Sequence, residues 1–224
     1  EPVPERGRPK RAIAAPSDDP PAPAPTLLHE LAANGAPVRT LRAHETDALE
    51  QAGWSELLEE AATGEIAFPG GALRMTPTPA MTLFDVDGEG EPAALALAGA
   101  RAAAAAILRH GIGGSIGIDL PTVAGKTERQ AADAVLAKAL PDAERTAMNG
   151  FGFVQLIRRR TRASLPELIA ADPALADALA LLRRLERDPQ PVAVAPARVL
   201  AKITPVWRAE LERRTGRRVE WRDA

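Results

Sequence analysis

Apolar residues along the chain fall into short runs separated by longer helical stretches, and one pairing of runs organises the rest. Ala80-Met81-Thr82-Leu83-Phe84-Asp85-Val86-Asp87-Gly88-Glu89-Gly90 and Gly114-Ser115-Ile116-Gly117-Ile118-Asp119-Leu120-Pro121 each carry an apolar strand pattern ending in aspartate before a Gly- or Pro-marked turn. Between them, Glu91 to Gly111 is rich in alanine and poor in β-branched residues, which predicts a helix. Strand, helix and strand in that order predict a right-handed crossover that opens both aspartates on one sheet edge. Ligands of α/β sheets gather at that carboxyl edge.

The flanking pattern supplies the remaining elements. Leu27 to Asn34 reads as a helix ending at Gly35, and Pro37 to Leu41 as a short strand. Ser55 caps a helix with apolar Leu57, Leu58, Ala61 and Ala62, stopped by Gly64. Glu65 to Phe68 and Ala72 to Met75 flank Pro69-Gly70-Gly71, a hairpin signal feeding the strand of Asp85. Beyond Asp119, a helix is expected from an N-cap at Thr127 to Leu140, and then an extended segment from Arg145 to Ile157 with a glycine-marked bend. Leu165 to Arg187 is helical, with Pro166 and Pro173 near helix starts. A strand at 191–194, helices at 196–203 and 205–214, and a strand at 218–221 follow. The expected fold is α/β, a mixed sheet with crossover helices over 26–164. A connecting helix over 165–189 leads to a small α+β unit over 190–224.

Composition narrows the chemistry. The chain has 224 residues, 46% hydrophobic and 26% charged, with no run of about 20 apolar residues and no signal-peptide pattern, so a cytoplasmic protein with no membrane partner is expected. It has no cysteine, which excludes disulfides, thiol catalysis and cysteine-zinc sites. A net charge of −2 leaves nucleic-acid binding to a local patch rather than to the whole surface. Aromatic residues are scarce, and the heavy use of alanine and arginine reads as genome composition. The first 25 residues hold eight prolines and the cluster Arg6-Gly7-Arg8-Pro9-Lys10-Arg11, which predicts a solvated linker arm. Because the chain opens on Glu1, an upstream domain is expected to precede it.

Two carboxylates on neighbouring strands, about 5 Å apart, can share one divalent ion. An all-oxygen set of that kind suits Mg²⁺ or Mn²⁺ rather than zinc. A lone strand-end aspartate is as often a turn or capping residue, but two in one crossover favour a metal site. The strongest local positive charge is Arg158-Arg159-Arg160-Thr161-Arg162, at the end of a buried strand pattern. On a continuing strand, Arg158, Arg160 and Arg162 would share a face suited to hold a phosphodiester, while a solvated face is the plain alternative. Lys126 and Arg129 add basic positions on the helix after Asp119.

Taken together the motifs resemble the ribonuclease E/G family. The resemblance is carried by Gly64 to Gly71, by Met81 to Gly88, by Arg109-His110-Gly111-Ile112-Gly113-Gly114-Ser115-Ile116-Gly117-Ile118-Asp119, and by Phe151-Gly152 with Arg158 to Leu165. It covers about Trp54 to Leu165 well and Val192 to Trp221 faintly. It implies an endoribonuclease that hydrolyses phosphodiester bonds of single-stranded RNA, with a deoxyribonuclease-I-like core in which Asp85 and Asp119 hold Mg²⁺. The family's turn asparagine, thought to contact the scissile phosphate, falls on Asp87, which joins the expected catalytic set. That change replaces a donor with an anion, so a catalytically weakened RNA-binding paralogue is the alternative, and a phosphoesterase acting on something other than RNA is a third reading. The upstream barrel and the Cys-Pro-x-Cys zinc link are missing, so any homo-oligomer would form without zinc. His110 is read as a helix C-terminal cap.

Overall fold

The computed structural model describes residues 27–39, 41–42 and 44–224, in two units divided between Arg39 and Thr40. The linker expected over 1–25, with its Arg6–Arg11 cluster, lies outside the described residues. In the first unit, α1 (Leu27–Ala33) ends in a turn in which Gly35 N–H donates to Ala32 O at 3.1 Å and Ala36 N–H to Leu31 O at 2.9 Å. The strand expected at Pro37 is not formed over 37–39. Extended backbone becomes a strand only with a ladder partner.

The second unit is built on a six-stranded sheet of β1 (Glu65–Phe68), β2 (Gly71–Pro77), β3 (Thr82–Gly88), β4 (Gly114–Asp119), β5 (Glu144–Arg145) and β6 (Phe153–Arg158). Their order is β1-β2-β3-β4-β6-β5. Only β3 and β4 run parallel, joined by a helix as parallel strands require; every other neighbouring pair in this sheet is antiparallel. The hairpin read at Pro69-Gly70 closes on the pair Phe68 and Gly71.

The crossover helix α4 (Pro92–Arg109) starts where Glu91 accepts from Ala94 N–H at 2.9 Å and Pro92 presets the first turn. It packs on the sheet together with α5 (Lys126–Ala139). The alanines have a structural use. Ala96, Ala100, Ala103 and Ala106 are buried and let the helix lie close to the strands, and a Cβ on Gly99 would stand 2.6 Å from Val86 Cγ1. Phe84, Ile116, Ile118, Val154 and Leu156 fill the sheet side of this core, each contributing about 1.5–3 kcal/mol by burial. By length and composition α4 could also cross a membrane; here it is the core helix.

Three helix starts differ from expectation, and the helix expected over 196–203 is shorter, spanning 197–200. The helix α3 (Trp54–Thr63) has Gly53, not Ser55, at its N-cap, because the Ser55 hydroxyl instead donates to Glu50 Oε2 at 2.7 Å, on the preceding short helix α2 (Ala48–Gln51). Likewise α5 has Gly125, not Thr127, at its N-cap. The single helix expected from Leu165 to Arg187 is two, α6 (Leu165–Ala171) and α7 (Pro173–Arg187). Pro173 drives its predecessor out of helical geometry, and Asp172 at φ −148° and ψ 79° caps α7 by accepting from Leu175 N–H. A second core follows, in which Ala178, Leu181 and Leu185 of α7 pack against Ala193, Val199 and Leu211. These belong to β7 (Val192–Ala195), α8 (Ala197–Leu200) and α9 (Pro205–Thr215), and β8 (Glu220–Asp223) pairs parallel with β7.

Candidate functional site

Parallel pairing of β3 and β4 places Asp85 directly opposite Asp119, with Phe84 opposite Ile118 one step before. Phe84 and Ile118 are fully buried against α4 and α5, so by alternation the two aspartates share the opposite face, where both are exposed. Paired residues of adjacent strands sit about 5 Å apart across the ladder, within reach of one ion. The pair therefore fits a hard divalent cation through carboxylate oxygen, as the sequence suggested, with water completing the shell. Arg74 lies opposite Asp85 on β2, but its guanidinium is bound to Glu65, with Nη2 to Oε1 at 2.9 Å.

Asp87 does not join them in a three-carboxylate group. No cluster of three or more His, Asp or Glu side chains suited to a metal occurs among the described residues. Asp87 shares the face of Asp85, but β3 runs on to Gly88 while β4 stops at Asp119, so Asp87 stands two residues, roughly 7 Å, beyond the pair. Its Oδ1 accepts from Gly88 N–H at 2.8 Å.

The arginine run lies at the other end of the sheet. Along the β4–β6 ladder Asp119 pairs with Phe153, whereas Arg158 pairs with Gly114, five steps or roughly 16 Å away. The strand ends at Arg158, so Arg160 and Arg162 do not continue its alternation. Arg158 is on the helix-covered side, where it donates to Asp142 Oδ2 at 2.9 Å and to Ile112 O at 3.1 Å. Arg160 pairs with Glu167 at 3.1 Å. Ser164 N–H donating to Glu167 holds that carboxyl below the usual range, and Arg160 adds to the effect. Arg129 donates to Val123 O and Ala124 O, both at 2.7 Å, fixing the loop after β4. These bonds give Arg158, Arg160 and Arg129 structural roles. Arg158→Ala is expected to cost about 1 kcal/mol in chemical denaturation and to leave the salt slope of RNA binding unchanged. Of the expected phosphate contacts, Lys126 and Arg129 stay with the aspartates' edge: Lys126 is exposed and begins α5 directly after the loop that leaves Asp119, and Arg129 is bound to that loop.

That edge carries a feature the strand pattern did not signal. The turn from Asn149 to Phe153 is tied internally, with Asn149 Oδ1 accepting from Phe151 N–H at 2.9 Å and Phe153 N–H at 3.0 Å. It is also tied to the chain after Asp119: Leu120 N–H donates to Gly152 O at 3.2 Å, and Thr122 Oγ1 to Phe151 O at 3.1 Å. Gly152 has φ +100°, and a Cβ there would collide with Leu120 O, so only glycine permits this stitch. The Phe151 side chain is 81% exposed.

His110 forms the C-cap of α4 as expected, but its ring serves a second purpose. It is buried with Nε2 3.0 Å from Glu60 Oε2, while Arg109 grips the same carboxylate through Nε at 2.9 Å and Nη2 at 2.6 Å. Burial holds the imidazole below its ordinary pKa despite the carboxylate. Neutral His110 thus donates from Nε2, and its Nδ1 has no partner. This cluster lies where α3 meets the end of α4 and contributes to folding.

The chain matches no model of a known protein family and no curated protein.

Proposed function

We propose that this chain is a Mg²⁺-dependent endoribonuclease that hydrolyses phosphodiester bonds in single-stranded RNA. The observation that carries the reading is the in-register pair Asp85 and Asp119, exposed on neighbouring parallel strands. The resemblance of the surrounding motifs to the ribonuclease E/G family selects RNA among phosphodiesters. Asp85 and Asp119 would hold the ion. When bound there, the ion would supply a water of lowered pKa and a positive charge beside the phosphate. Without a cation the two carboxylates repel a phosphodiester, so they make binding at this edge depend on the metal. Lys126, exposed at the start of α5, provides a positive charge for the backbone of the bound strand.

A labelled single-stranded RNA should be cut with Mg²⁺ present, and EDTA or Asp85→Asn should stop the cutting. Cleavage that survives both would place the chemistry elsewhere. Binding without cleavage by the wild type would favour the weakened paralogue, the reading that the anion at Asp87 supports, since its carboxylate accepts a backbone bond and cannot donate to a phosphate oxygen.

A further inference from the structure

Seven aromatic side chains occur in the chain, and six of them, Trp54, Phe68, Phe84, Phe153, Trp207 and Trp221, are buried or half-buried. Phe151 is the exception. At 81% it is the most exposed large apolar side chain among the described residues. A single exposed apolar residue is ordinary on a protein surface. This one differs because its backbone is held: the Asn149 side chain, the Thr122 hydroxyl and Gly152, in a conformation that only glycine adopts freely, all fix the turn that presents it. The ring loses water-shielding partners while its backbone is held in place, which is the arrangement of a preorganised contact surface rather than of a residue that failed to be buried. The turn is stitched to Leu120 and Thr122, the residues that leave Asp119, and Phe153 at its end pairs with Asp119 itself. The ring therefore projects from the same sheet edge as the carboxylate pair.

We propose that Phe151 is a stacking platform for an unpaired nucleobase adjoining the phosphodiester held at Asp85 and Asp119. This inference rests on the functional reading above and makes it more specific: the ligand must carry an unstacked base next to the reactive phosphate. A free aromatic face is tolerant of base identity, since every base offers a π surface, and it cannot be reached by a base that remains paired in a duplex. Lys126 and Phe151 then divide the recognition, charge for the backbone and an apolar face for the base.

The test is binding of fluorescent RNA oligomers with Ca²⁺, a hard cation that oxygen ligands accept in place of Mg²⁺, on strands checked by gel to remain uncut, comparing oligoadenylate with an abasic ribose-phosphate strand of equal length and charge. The wild type should prefer the base-bearing strand. Phe151→Ala should weaken oligoadenylate about tenfold, within the range of roughly 5- to 150-fold measured for loss of one base stack, and should leave the abasic strand unaffected. Phe151→Trp should restore the preference. Equal affinity of wild type and Phe151→Ala for oligoadenylate would overturn the platform. So would a change in sedimenting mass of Phe151→Ala without a change in base preference, which would make the ring a contact between copies of the chain. Asp119→Asn that still cleaves, with the base preference intact, would overturn the metal reading alone and support the platform.

Discussion

Asp119→Asn is expected to fold as the wild type does and to lose Mg²⁺-dependent cleavage of single-stranded RNA by more than about a hundredfold. The side chain is exposed at the end of β4, and no described hydrogen bond or ion pair uses its carboxylate, so the substitution removes no interaction the fold needs. It does remove one of two anionic ligands. An amide offers a single neutral oxygen, and a hard cation held by one carboxylate is held weakly. If the metal supplies about 3 kcal/mol of transition-state stabilisation, its loss corresponds to roughly 150-fold at 1.36 kcal/mol per tenfold. Circular dichroism and thermal melting should match the wild type without metal, while single-turnover cleavage falls. The Mg²⁺-induced rise in melting temperature should shrink in parallel, a readout independent of activity. Wild-type turnover at equal Mg²⁺ would remove Asp119 from the site. Asp87→Asn should have a smaller effect on the metal-induced shift, because Asp87 stands beyond the pair.

The largest loss of stability is expected at Glu60. Glu60→Ala should cost about 3 kcal/mol, at the lower end of the range for breaking a buried ion pair. The lower end applies because Arg109, with its side chain 37% exposed, can recover water when its partner is gone. His110 cannot: its side chain is fully buried, and its Nε2 would lose the acceptor it has. Glu60→Leu combined with His110→Leu should recover much of the loss, since the penalty comes from stranding a buried polar group rather than from the pair's absolute strength. A double variant as unstable as Glu60→Ala alone would show that packing, not the stranded imidazole, sets the cost.

The same cluster fixes the pH dependence. His110 in the fold titrates below its ordinary value, so between the two pKa values the unfolded chain binds a proton the folded chain refuses. Stability is then full above about pH 6.5 and falls as the pH drops through the folded value. His110→Leu should flatten urea-denaturation midpoints between about pH 7 and 5, a window above the ordinary titration of carboxylates. The other histidines, His29 and His44, are exposed.

The elements that carry the site were legible along the chain. Alternating apolar positions in 82–86 and 114–118, the alanine-rich run between them and the glycine turn at Pro69-Gly70 require little beyond local sterics and one buried face. They therefore became β3, α4, β4 and the β1–β2 hairpin. Lateral register was decided by tertiary structure. Asp85 meets Asp119, and Asp87 does not, because β3 outlasts β4 by three residues, a length set by how β2 pairs along all of β3. The arginine run carried an unmistakable charge signal but no direction. Antiparallel pairing of β6 with β4 puts its start at the far end of the sheet from Asp119, and Asp142, Ile112 O and Glu167 consume Arg158 and Arg160 there. Phe151 shows the converse: an aromatic residue between glycines reads as core or turn until the hydrogen bonds of Asn149 and Thr122 fix it at the surface. Periodicity records which face of an element is apolar. It holds no information on which end of a neighbouring strand a side chain will meet, because that depends on contacts between residues far apart in the chain.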